Sequence, residues 1–509
     1  MTPGTTSGDR GAWWATLGLL CLALLAPLLV VDLPPLLDYP NHLGRLFVLA
    51  RLPDDPVLAR FYAAQWAIIP NLALDLIGPS LIRVLPVHDA GRLLIGAAVL
   101  LPVLGCVAYS ATLGGRWWSL AVGLAAYNRT VLEGFLNFNI GIGLALLLAA
   151  CWMRWRTRHP AWVTLAAMLS GVVLFACHLM AVALFIVLVG ADEAIRLLRG
   201  RRGTAAFAWA GVRMALIVAL PLALYAMSAL QALGGDLTYS SVADKAAHLM
   251  APFINYAWPL DVLTGVFALG CPLVCLLLGR GRLAPQAWVA VPLLFGAYLA
   301  APYGWKGTYQ IDTRFAIMLG ALLFAGFMPV RWPRWLGRGV ATAAVLLFTG
   351  RMALLTQAWW EHRADLADLR AALAAVQAGQ AIYVVLAQPE YPEGYDALAP
   401  WSRHLSDGVF TGTHLGALAL IEHRAWWPFQ FDNASQQPIR TLEPYRTLAL
   451  GIGDLPDQRA LAKADLCGFD VVLVLQADGV APLPDARFRP LAGQGFARSY
   501  AVGSCGASG

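Results

Sequence analysis

The chain has 509 residues, of which 59% are hydrophobic and only 13% are charged. An ordinary soluble domain has about 25% charged residues, so this composition excludes a typical soluble protein and indicates that the bilayer surrounds most of the chain. The net charge is +6, and every basic residue other than Lys245, Lys306 and Lys463 is arginine. Because the arginines lie in short runs between apolar stretches, they indicate membrane topology and argue against nucleic-acid binding.

The first apolar run, residues 12–31, follows Arg10 and shows no small-residue cleavage pattern before Asp32. A run of about 20 apolar residues is long enough to cross a bilayer, so it predicts an uncleaved anchor and not a signal peptide. Apolar runs of spanning or nearly spanning length predict about eleven transmembrane helices, at residues 12–31, 92–112, 117–128, 136–153, 161–177, 179–195, 211–229, 258–279, 284–302, 315–330 and 337–354.

The arginines between these runs fall mostly on one side of the membrane if the N-terminus is cytoplasmic. That side holds Arg10, Arg116, Arg154, Arg156, Arg158, Arg196, Arg199, Arg201, Arg202, Arg280, Arg282, Arg331, Arg334 and Arg338. The opposite side, outside the first loop and the C-terminal region, holds Arg129, Lys245, Lys306 and Arg314. The positive-inside rule therefore predicts a multi-pass protein of the bacterial inner membrane, with a cytoplasmic N-terminus and a periplasmic C-terminal region.

Residues 66–87 are apolar enough to span, but they include Pro70, Asp75, Pro79 and Arg83. Counting this segment as a crossing would reverse the side of every later loop. We therefore predict a long first periplasmic loop, residues 32–90, whose helices lie along the membrane surface with their apolar faces down.

The pattern changes beyond residue 354, where we predict a small periplasmic α/β domain at residues 355–509. A charged helix is expected at about 357–380, followed by strands at 381–387 and 469–475. The preceding chain, residues 1–354 with the first loop included, is the predicted transmembrane module.

The cysteines separate into two groups. Those in or beside apolar runs are expected to pack as small hydrophobic side chains: Cys21, Cys106, Cys151, Cys177, Cys271 and Cys275. Cys467 and Cys505 lie in the predicted periplasmic domain, where a disulfide between them and a pair of free thiols are both consistent with the sequence.

Intramembrane carboxylates usually mark ion or proton pathways, because a charge in the hydrocarbon centre costs at least ~2.5–3.5 kcal/mol on insertion scales. The middles of the predicted helices contain no Asp, Glu or Lys, and no pair of interrupted helices indicates an inverted-repeat transporter. These features argue against an ion-coupled carrier. Metal-ligand spacings, phosphate-binding glycine loops and nucleophile elbows are also missing from suitable contexts, which argues against nucleotide-dependent chemistry.

Polar residues concentrate first at residues 32–45, directly after the first crossing. Asp38 is the main catalytic candidate, because a carboxylate beside an imidazole at the membrane surface can accept a proton from a hydroxyl group. Neighbouring prolines restrict the backbone there, and His42 and Arg45 are candidate substrate-binding residues. Alternatively, Asp38 caps a helix that starts near Asn41 or simply faces water, since Asp is common at turns.

A second polar cluster, residues 127–139, lies between the third and fourth predicted crossings. Glu133 is a candidate second acidic group for a metal or an acceptor, and Arg129 is a candidate substrate-binding residue. An ordinary i,i+4 ion pair between the two is an equally good interpretation. Asn137 and Asn139 stand where a helix begins, so their default role is capping.

A third cluster, residues 303–315, leads into a late crossing. Lys306 and Arg314 are candidates to hold a phosphate at the membrane surface, and Tyr309 is a candidate to pack on a sugar or lipid. An interfacial belt that anchors helix ends without a ligand explains the same residues. His178 and His248 also face the periplasm in this topology; structural roles are the simpler explanation for both, and His178 is kept as a substrate-binding candidate.

The order of these features resembles the GT-C superfamily of membrane glycosyltransferases, which use polyprenyl-phosphate sugars. Over most of the chain, the first helix leads into a long periplasmic loop with an acidic residue, and a second acidic residue, a basic aromatic loop and a periplasmic C-terminal domain follow. The resemblance implies that Asp38 is the loop-1 catalytic carboxylate, that Glu133 is the second acidic position, and that Lys306 and Arg314 contact the lipid phosphate.

This resemblance implies an inverting transfer of a sugar from a polyprenyl-phosphate donor in the membrane lipid to a hydroxyl of a periplasmic glycan, lipid or protein. Many members have two adjacent acidic residues in the first loop, whereas this chain has Asp38 alone. No cofactor is therefore certain, and a divalent metal is left open.

Two rival functions remain at this stage. A non-catalytic lipid or polymer exporter would tolerate Asp38→Asn and needs a continuous polar path across the bilayer. A polysaccharide polymerase or ligase that uses pyrophosphate-linked lipids would place paired periplasmic arginines in its site, and the sequence offers only Arg129 and Arg314.

Overall fold

The computed structural model describes residues 7–200, 203–387, 400–451, 455–484 and 487–503. These residues form two compact units. The first unit contains the chain up to Leu29, Ile68–Leu74 and Leu93–Thr356. The second unit contains Val30–Ala67, Asp75–Arg92 and the described residues from Gln357 onward.

Most of the regular structure is helical. Along the chain the α-helices are α1 (Ser7–Leu25), α2 (Tyr39–Arg51), α3 (Leu58–Phe61), α4 (Ala73–Val84), α5 (Val87–Leu113), α6 (Arg129–Leu132), α7 (Leu136–Trp155), α8 (Pro160–Cys177), α9 (Leu179–Arg199), α10 (Thr204–Ala226), α11 (Val242–His248), α12 (Trp258–Leu277), α13 (Ala287–Ala300), α14 (Ile311–Gly326), α15 (Arg334–Leu373), α16 (Ala417–His423) and α17 (Tyr445–Leu448). The strands are β1 (Tyr62–Ala64), β2 (Gly281–Leu283), β3 (Phe327–Pro329), β4 (Ile382–Leu386), β5 (Ile439–Thr441), β6 (Val471–Leu475), β7 (Phe488–Ala492) and β8 (Ala497–Val502).

Seven of the described helices are long and apolar enough to cross a membrane, by length and composition. They are Asp9–Leu29, Val87–Leu113, Leu136–Trp155, Pro160–Cys177, Thr204–Ala226, Trp258–Leu277 and Arg334–Leu373. The other predicted crossings correspond to α9, which carries Asp192 and Glu193, to the shorter helices α13 and α14, and to a 3-10 helix at Trp118–Ala125. The total of about eleven therefore stays a prediction.

The segment predicted to cross at 117–128 runs parallel to α1 within the first unit. Arg116 Nη1 donates to Asp9 Oδ2 at 3.0 Å at one end, and Tyr127 OH donates to the Leu24 carbonyl at 2.7 Å at the other. At ~1.5 Å per residue α1 rises about 22 Å between these contacts. A 3-10 helix rises ~2.0 Å per residue and covers the same distance in fewer residues. This explains how so short a segment spans the same length as α1.

The packing of α5 on α7 also indicates that the segment at 117–128 runs from one end of the first unit to the other. Thr112 Oγ1 donates to Met153 Sδ at 3.4 Å, and Gly105 packs so closely on the Gly143 carbonyl that a larger residue would clash with it. Gly105 of α5 meets Gly143 of α7, and Thr112 farther along α5 meets Met153 farther along α7. The two helices are therefore parallel. The chain between them must return from one end of the pair to the other, as the predicted crossing requires.

One end of the first unit collects polar contacts from segments next to loops predicted to be cytoplasmic. Arg156 Nε lies 2.5 Å from Asp192 Oδ2, and Gln286 Nε2 donates to Asp192 Oδ1 at 3.1 Å. Arg213 Nη2 lies 2.9 Å from Glu193 Oε2. Because the end of α7, the second half of α9, the first half of α10 and the chain just before α13 meet here, the structure brings the predicted cytoplasmic parts of these helices together. Their side of the membrane stays a prediction.

A buried ion pair joins α12 to α15 in the first unit. Arg351 Nη1 lies 2.6 Å from Asp261 Oδ1, and the two side chains are 4% and 1% exposed. The backbone N–H of Asn255 donates to Asp261 Oδ2 at 2.8 Å. No sequence pattern indicated this pair, because Asp261 in the first turn of α12 and Arg351 in the middle of α15 are 90 residues apart in the chain.

Replacing Asp261 by asparagine is expected to lower the free energy of unfolding by about 3 kcal/mol, because Arg351 keeps its buried charge without a countercharge. An asparagine oxygen still accepts from Asn255, which places the effect at the lower end of the range for broken buried pairs. Unfolding of the purified protein in mixed detergent micelles measures it. The double variant Asp261→Leu/Arg351→Met should recover stability; equal instability of single and double variants would contradict the explanation.

The second unit contains a four-stranded sheet in the order β4-β6-β8-β7. β4 pairs parallel with β6, and β6 pairs antiparallel with β8. All five residues of β6 are buried, as expected for a central strand of β-branched and leucine residues. The strands predicted at 381–387 and 469–475 are present as β4 and β6.

The charged helix predicted at 357–380 is part of α15, which runs continuously through the predicted boundary at 354/355 and ends at Leu373. That boundary was placed where hydropathy falls, but a change from apolar to charged residues does not end a helix that lacks glycine or proline there. The boundary between the two compact units lies within α15, between Thr356 and Gln357.

Most of the first loop, residues 32–67 and 75–90, belongs to the second unit, whereas the domain prediction grouped the whole loop with the transmembrane module. α2 packs against α16, and β1 forms an antiparallel pair with β5, in which Tyr62 lies opposite Thr441. α4 has 12 residues, which rise about 18 Å and fall short of the ~30 Å hydrocarbon core. A single helical crossing at 66–87 is thereby excluded; placement along the membrane surface stays a prediction.

Three residues used by the sequence predictions lie outside the described ranges: Arg201, Arg202 and Cys505. The pairing of Cys467 with Cys505 therefore stays a prediction.

Candidate functional site

Asp38 is the residue that precedes α2 in the second unit. It occupies the N-cap position, and Pro40 lies in the first turn, where its fixed φ suits a helix start. Within the described part of the chain, the Asp38 side chain makes no capping hydrogen bond to α2. Its side chain is 19% exposed. The capping alternative therefore does not account for this carboxylate.

His414 is the partner of Asp38. Its Nε2 lies 3.3 Å from Asp38 Oδ1, and the histidine side chain is only 6% exposed. The imidazole stands edge-on to Phe431, with ring centroids 5.0 Å apart, and to Trp427 at 6.1 Å. Two aromatic neighbours and burial thus fix the orientation of the ring against the carboxylate.

Asn41 links α2 to the same histidine. Its Oδ1 accepts from Gln430 Nε2 at 2.7 Å and from the Phe431 backbone N–H at 2.9 Å. Its Nδ2 donates to the Phe429 carbonyl at 2.7 Å and lies 3.4 Å from His414 Nδ1. The side chain is fully buried, and these contacts fix which of its two polar atoms faces the histidine.

Arg45 forms a buried, bidentate ion pair with Asp75 of α4. Nε lies 2.6 Å from Oδ1 and Nη2 lies 3.2 Å from Oδ2, and the side chains are 2% and 1% exposed. The third nitrogen, Nη1, lies 3.0 Å from His42 Nδ1. This geometry gives each of the three guanidinium nitrogens a protein partner, so it holds α2 against α4, a role that the substrate-binding prediction for Arg45 did not foresee.

His42 is kept neutral by these neighbours. Because a guanidinium only donates, Nδ1 of His42 must accept from Arg45. Burial lowers the pKa of His42 well below its ordinary value, and the charge of Arg45 acts in the same direction. Its ring also packs edge-on against Phe431, with centroids 5.5 Å apart.

The lowered pKa of His42 predicts a loss of stability as pH falls. Below about pH 6.5 an unfolded histidine takes up a proton that the folded His42 does not, so the free energy of unfolding falls by up to about 1.4 kcal/mol per pH unit. Melting of the purified protein between pH 7.5 and 5.0 measures this loss. His42→Gln should show a shallower dependence; an unchanged slope would contradict the prediction.

A second ion network fixes the start of the first loop. Arg370 Nη2 lies 2.5 Å from Asp32 Oδ2 and 2.8 Å from Glu422 Oε1, and His88 Nε2 lies 3.0 Å from the same glutamate oxygen. Burial alone would raise the pKa of Glu422, but hydrogen bonds from His88 and Arg370 outweigh it and lower the pKa to about 2. The segment that carries Asp38 is therefore anchored at its beginning as well as through α2.

In the first unit, Glu133 follows α6 and is 1% exposed. Arg129 Nε lies 2.9 Å from its Oε1, and Gln310 Nε2 donates to the same oxygen at 2.9 Å. The i,i+4 pair between Arg129 and Glu133 that the sequence offered as one alternative is therefore present. Gln310 joins this cluster to the start of α14.

Asp312 lies two residues beyond Gln310 and is completely buried. Ser240 Oγ donates to Asp312 Oδ2 at 2.7 Å, His248 Nδ1 lies 3.2 Å from that oxygen, and Lys245 Nζ lies 3.6 Å from it. Sequence analysis quoted the run containing Asp312 without assigning it a role. The tyrosine ring of Tyr303 stacks on His248, with centroids 5.9 Å apart.

The predicted phosphate contacts have protein partners of their own. Lys306 Nζ lies 3.3 Å from the Gln231 carbonyl oxygen and 5.6 Å from the centroid of the Trp305 ring. Arg314 Nη1 donates to the Tyr309 carbonyl at 2.8 Å, and its guanidinium lies 4.7 Å from the Phe135 ring centroid. The side chain of Tyr309 is largely exposed.

His178 caps α9. Its Nδ1 accepts from the backbone N–H of Met180 at 3.1 Å, and its ring stands edge-on to Phe138. These contacts supply the structural role that the sequence favoured for this histidine, and its substrate-binding role stays a prediction.

The predicted site residues thus fall into two groups. Asp38, His42 and Arg45 lie together in the second unit; Glu133, Arg129, His178, Lys306, Tyr309 and Arg314 lie in the first. Among the described residues, no three His, Cys, Asp or Glu side chains are grouped so that they could hold a metal ion. No step below uses a divalent cation.

The apolar helices and the arrangement of the first unit define a polytopic helical membrane protein. No protein-family model matches the sequence, and no curated protein matches it. The fold is similar to the crystal structure of ArnT from Cupriavidus metallidurans bound to undecaprenyl phosphate, with a TM-score of 0.51 and 12% sequence identity. The match covers 96% of this chain and 98% of that chain. At this identity the likeness shows the fold alone.

Proposed function

We propose that this chain is a GT-C-type glycosyltransferase that moves a sugar from a polyprenyl-phosphate donor to a hydroxyl group of an acceptor in the periplasm. The observation that carries the proposal is the Asp38–His414 pair, a partly exposed carboxylate held by a buried imidazole at 3.3 Å. A fold similar to that of a protein crystallised with undecaprenyl phosphate supports a polyprenyl-phosphate lipid as the donor carrier.

The chemistry suits a carboxylate that acts alone. Asp38 takes the proton of the acceptor hydroxyl while the oxygen attacks the anomeric carbon of the sugar. The bond from that carbon to the phosphate oxygen breaks, and the polyprenyl phosphate leaves with the electron pair. A single displacement inverts the anomeric configuration. The donor arrives already activated, so the reaction needs no soluble nucleotide.

Negative charge grows on the departing phosphate, and cations aimed at it stabilise the transition state. We propose Arg314 and Lys306 for this contact, as the resemblance implied. Arg314 is the stronger candidate, because its guanidinium rests against Phe135 and its Nη1 is anchored on the Tyr309 carbonyl. Glu133 holds Arg129 and Gln310 in the same unit and is proposed as the second acidic position of this cluster.

The test is a deletion strain analysed by mass spectrometry of its surface glycans and of its extracted lipids. A transferase of this class predicts a surface product that lacks one sugar, together with accumulation of the corresponding polyprenyl-phosphate sugar. Expression of the wild-type chain should reverse both changes.

An exporter gives a different pattern, because its loss leaves the finished product inside the cell. A complete product retained in the cell, with no accumulated polyprenyl-phosphate sugar, would overturn the transferase proposal. A deletion strain with unchanged lipids and glycans would overturn it as well.

A further inference from the structure

The hydrogen bonds around Asn41 determine where His414 carries its proton. Asn41 Oδ1 accepts from the Phe431 backbone N–H, which can only donate, so the other polar atom of this side chain is the amide nitrogen. That nitrogen faces His414 Nδ1 at 3.4 Å. Because an amide nitrogen only donates, Nδ1 of His414 is an acceptor. The proton of the neutral imidazole is then on Nε2, the atom that lies 3.3 Å from Asp38 Oδ1.

We propose that His414 is a positioning residue for Asp38, with its Nε2–H bound to one carboxylate oxygen so that the other oxygen is presented to the acceptor hydroxyl. This inference rests on the proposed function. The proton that moves comes from the acceptor, passes to Asp38 as the new glycosidic bond forms, and leaves to solvent afterwards. His414 keeps its own proton throughout.

The second unit contains every part of this arrangement. Asp38 and Asn41 are on the first loop and α2, and Gln430, Phe431 and His414 come from the chain around α16. Asn41 is fully buried, and its polar atoms make hydrogen bonds at 2.7 and 2.9 Å. An asparagine with its polar atoms fixed in this way orients the imidazole as well as packing against it. Asp38 and His42 are titratable groups that face His414.

The experiment compares His414→Phe, His414→Gln and Asp38→Asn in the full-length protein. Glutamine keeps an N–H donor close to the position of Nε2, whereas phenylalanine keeps only the ring. His404→Gln is the matched control, because it makes the same change at a half-buried histidine of the same unit that packs against Phe410. Readouts are the restored sugar per amount of protein in the deletion strain, melting temperature, and binding of undecaprenyl phosphate to the purified protein.

We expect His414→Phe to lower transfer by about 100-fold, the cost of a misplaced catalytic group, with unchanged melting temperature and undecaprenyl phosphate binding. His414→Gln should retain most of the transfer, and His404→Gln should match wild type.

If His414→Phe transfers sugar at the wild-type rate and Asp38→Asn is inactive, the positioning role of His414 is overturned and the proposed function stays intact. A His414→Gln variant that folds but transfers no sugar would also overturn it. So would a loss of transfer in His414→Phe together with a lowered melting temperature in both the phenylalanine and the glutamine variants. Full transfer by Asp38→Asn would overturn the inference together with the base role of Asp38.

Discussion

Asp38→Asn is expected to lower sugar transfer by about 10²- to 10⁴-fold, the contribution of a positioned general base. Asparagine has nearly the same shape and can still accept a hydrogen bond from His414 Nε2, so the arrangement around α2 should persist. It cannot take a proton from the acceptor hydroxyl at neutral pH. The measurement is the amount of restored surface sugar in the deletion strain, normalised to protein level.

Asp54→Asn provides the control for this result. Asp54 lies in the same loop and is exposed, so the substitution makes the same chemical change away from His414. It should restore the sugar as well as wild type does. If Asp38→Asn restored it equally well, Asp38 would be a structural residue and the glycosyltransferase proposal would lose its base.

The membrane-spanning helices were predictable because hydropathy is a local property. The apolar runs at 136–153 and 161–177 correspond within a few residues to α7 and α8, whose bounds the surrounding arginines and Pro160 already mark. The short run at 117–128 was predicted as a crossing, but its 3-10 geometry was not predicted, since nothing in its composition distinguishes it from an α-helix.

Long-range contacts explain what sequence analysis missed. Asp38 stood out because prolines surround it, but its partner His414 has no local motif, and the neighbouring pair Asn41 and His414 is separated by 373 residues. Only packing of α2 on α16 brings them together. Asp75 was noted as an obstacle to a membrane span, and its buried pairing with Arg45 could not be read from spacing alone.

Burial also changed the interpretation of two predicted substrate-binding residues. Arg45 and His178 were chosen because both lie in segments that face the periplasm in the predicted topology. In the structure the three nitrogens of the Arg45 guanidinium contact Asp75 and His42, and His178 caps α9. Charge and position in the sequence indicate where a ligand could bind, whereas the number of protein partners decides whether the side chain is still available.

Asp75→Asn is expected to lower the free energy of unfolding by about 3–5 kcal/mol, because it leaves the charge of Arg45 buried without its carboxylate. The pair is bidentate and almost fully enclosed, at 2% and 1% exposure, so water cannot replace the lost partner. Arg45 also holds His42, and both lie on the helix that Asp38 begins. Loss of the pair should therefore reduce activity through misplacement of α2, and unfolding in mixed micelles together with the glycan assay measures both effects.

The double variant Arg45→Met/Asp75→Leu separates a structural role of Arg45 from substrate binding. Removing both charges relieves the uncompensated ion and fills the space with apolar atoms, so stability should return to near the wild-type value. If Arg45 acts only by holding α2 against α4, transfer should return with stability. A double variant that is stable, binds undecaprenyl phosphate and still transfers no sugar would instead assign Arg45 to the acceptor or to the sugar, as the sequence first indicated.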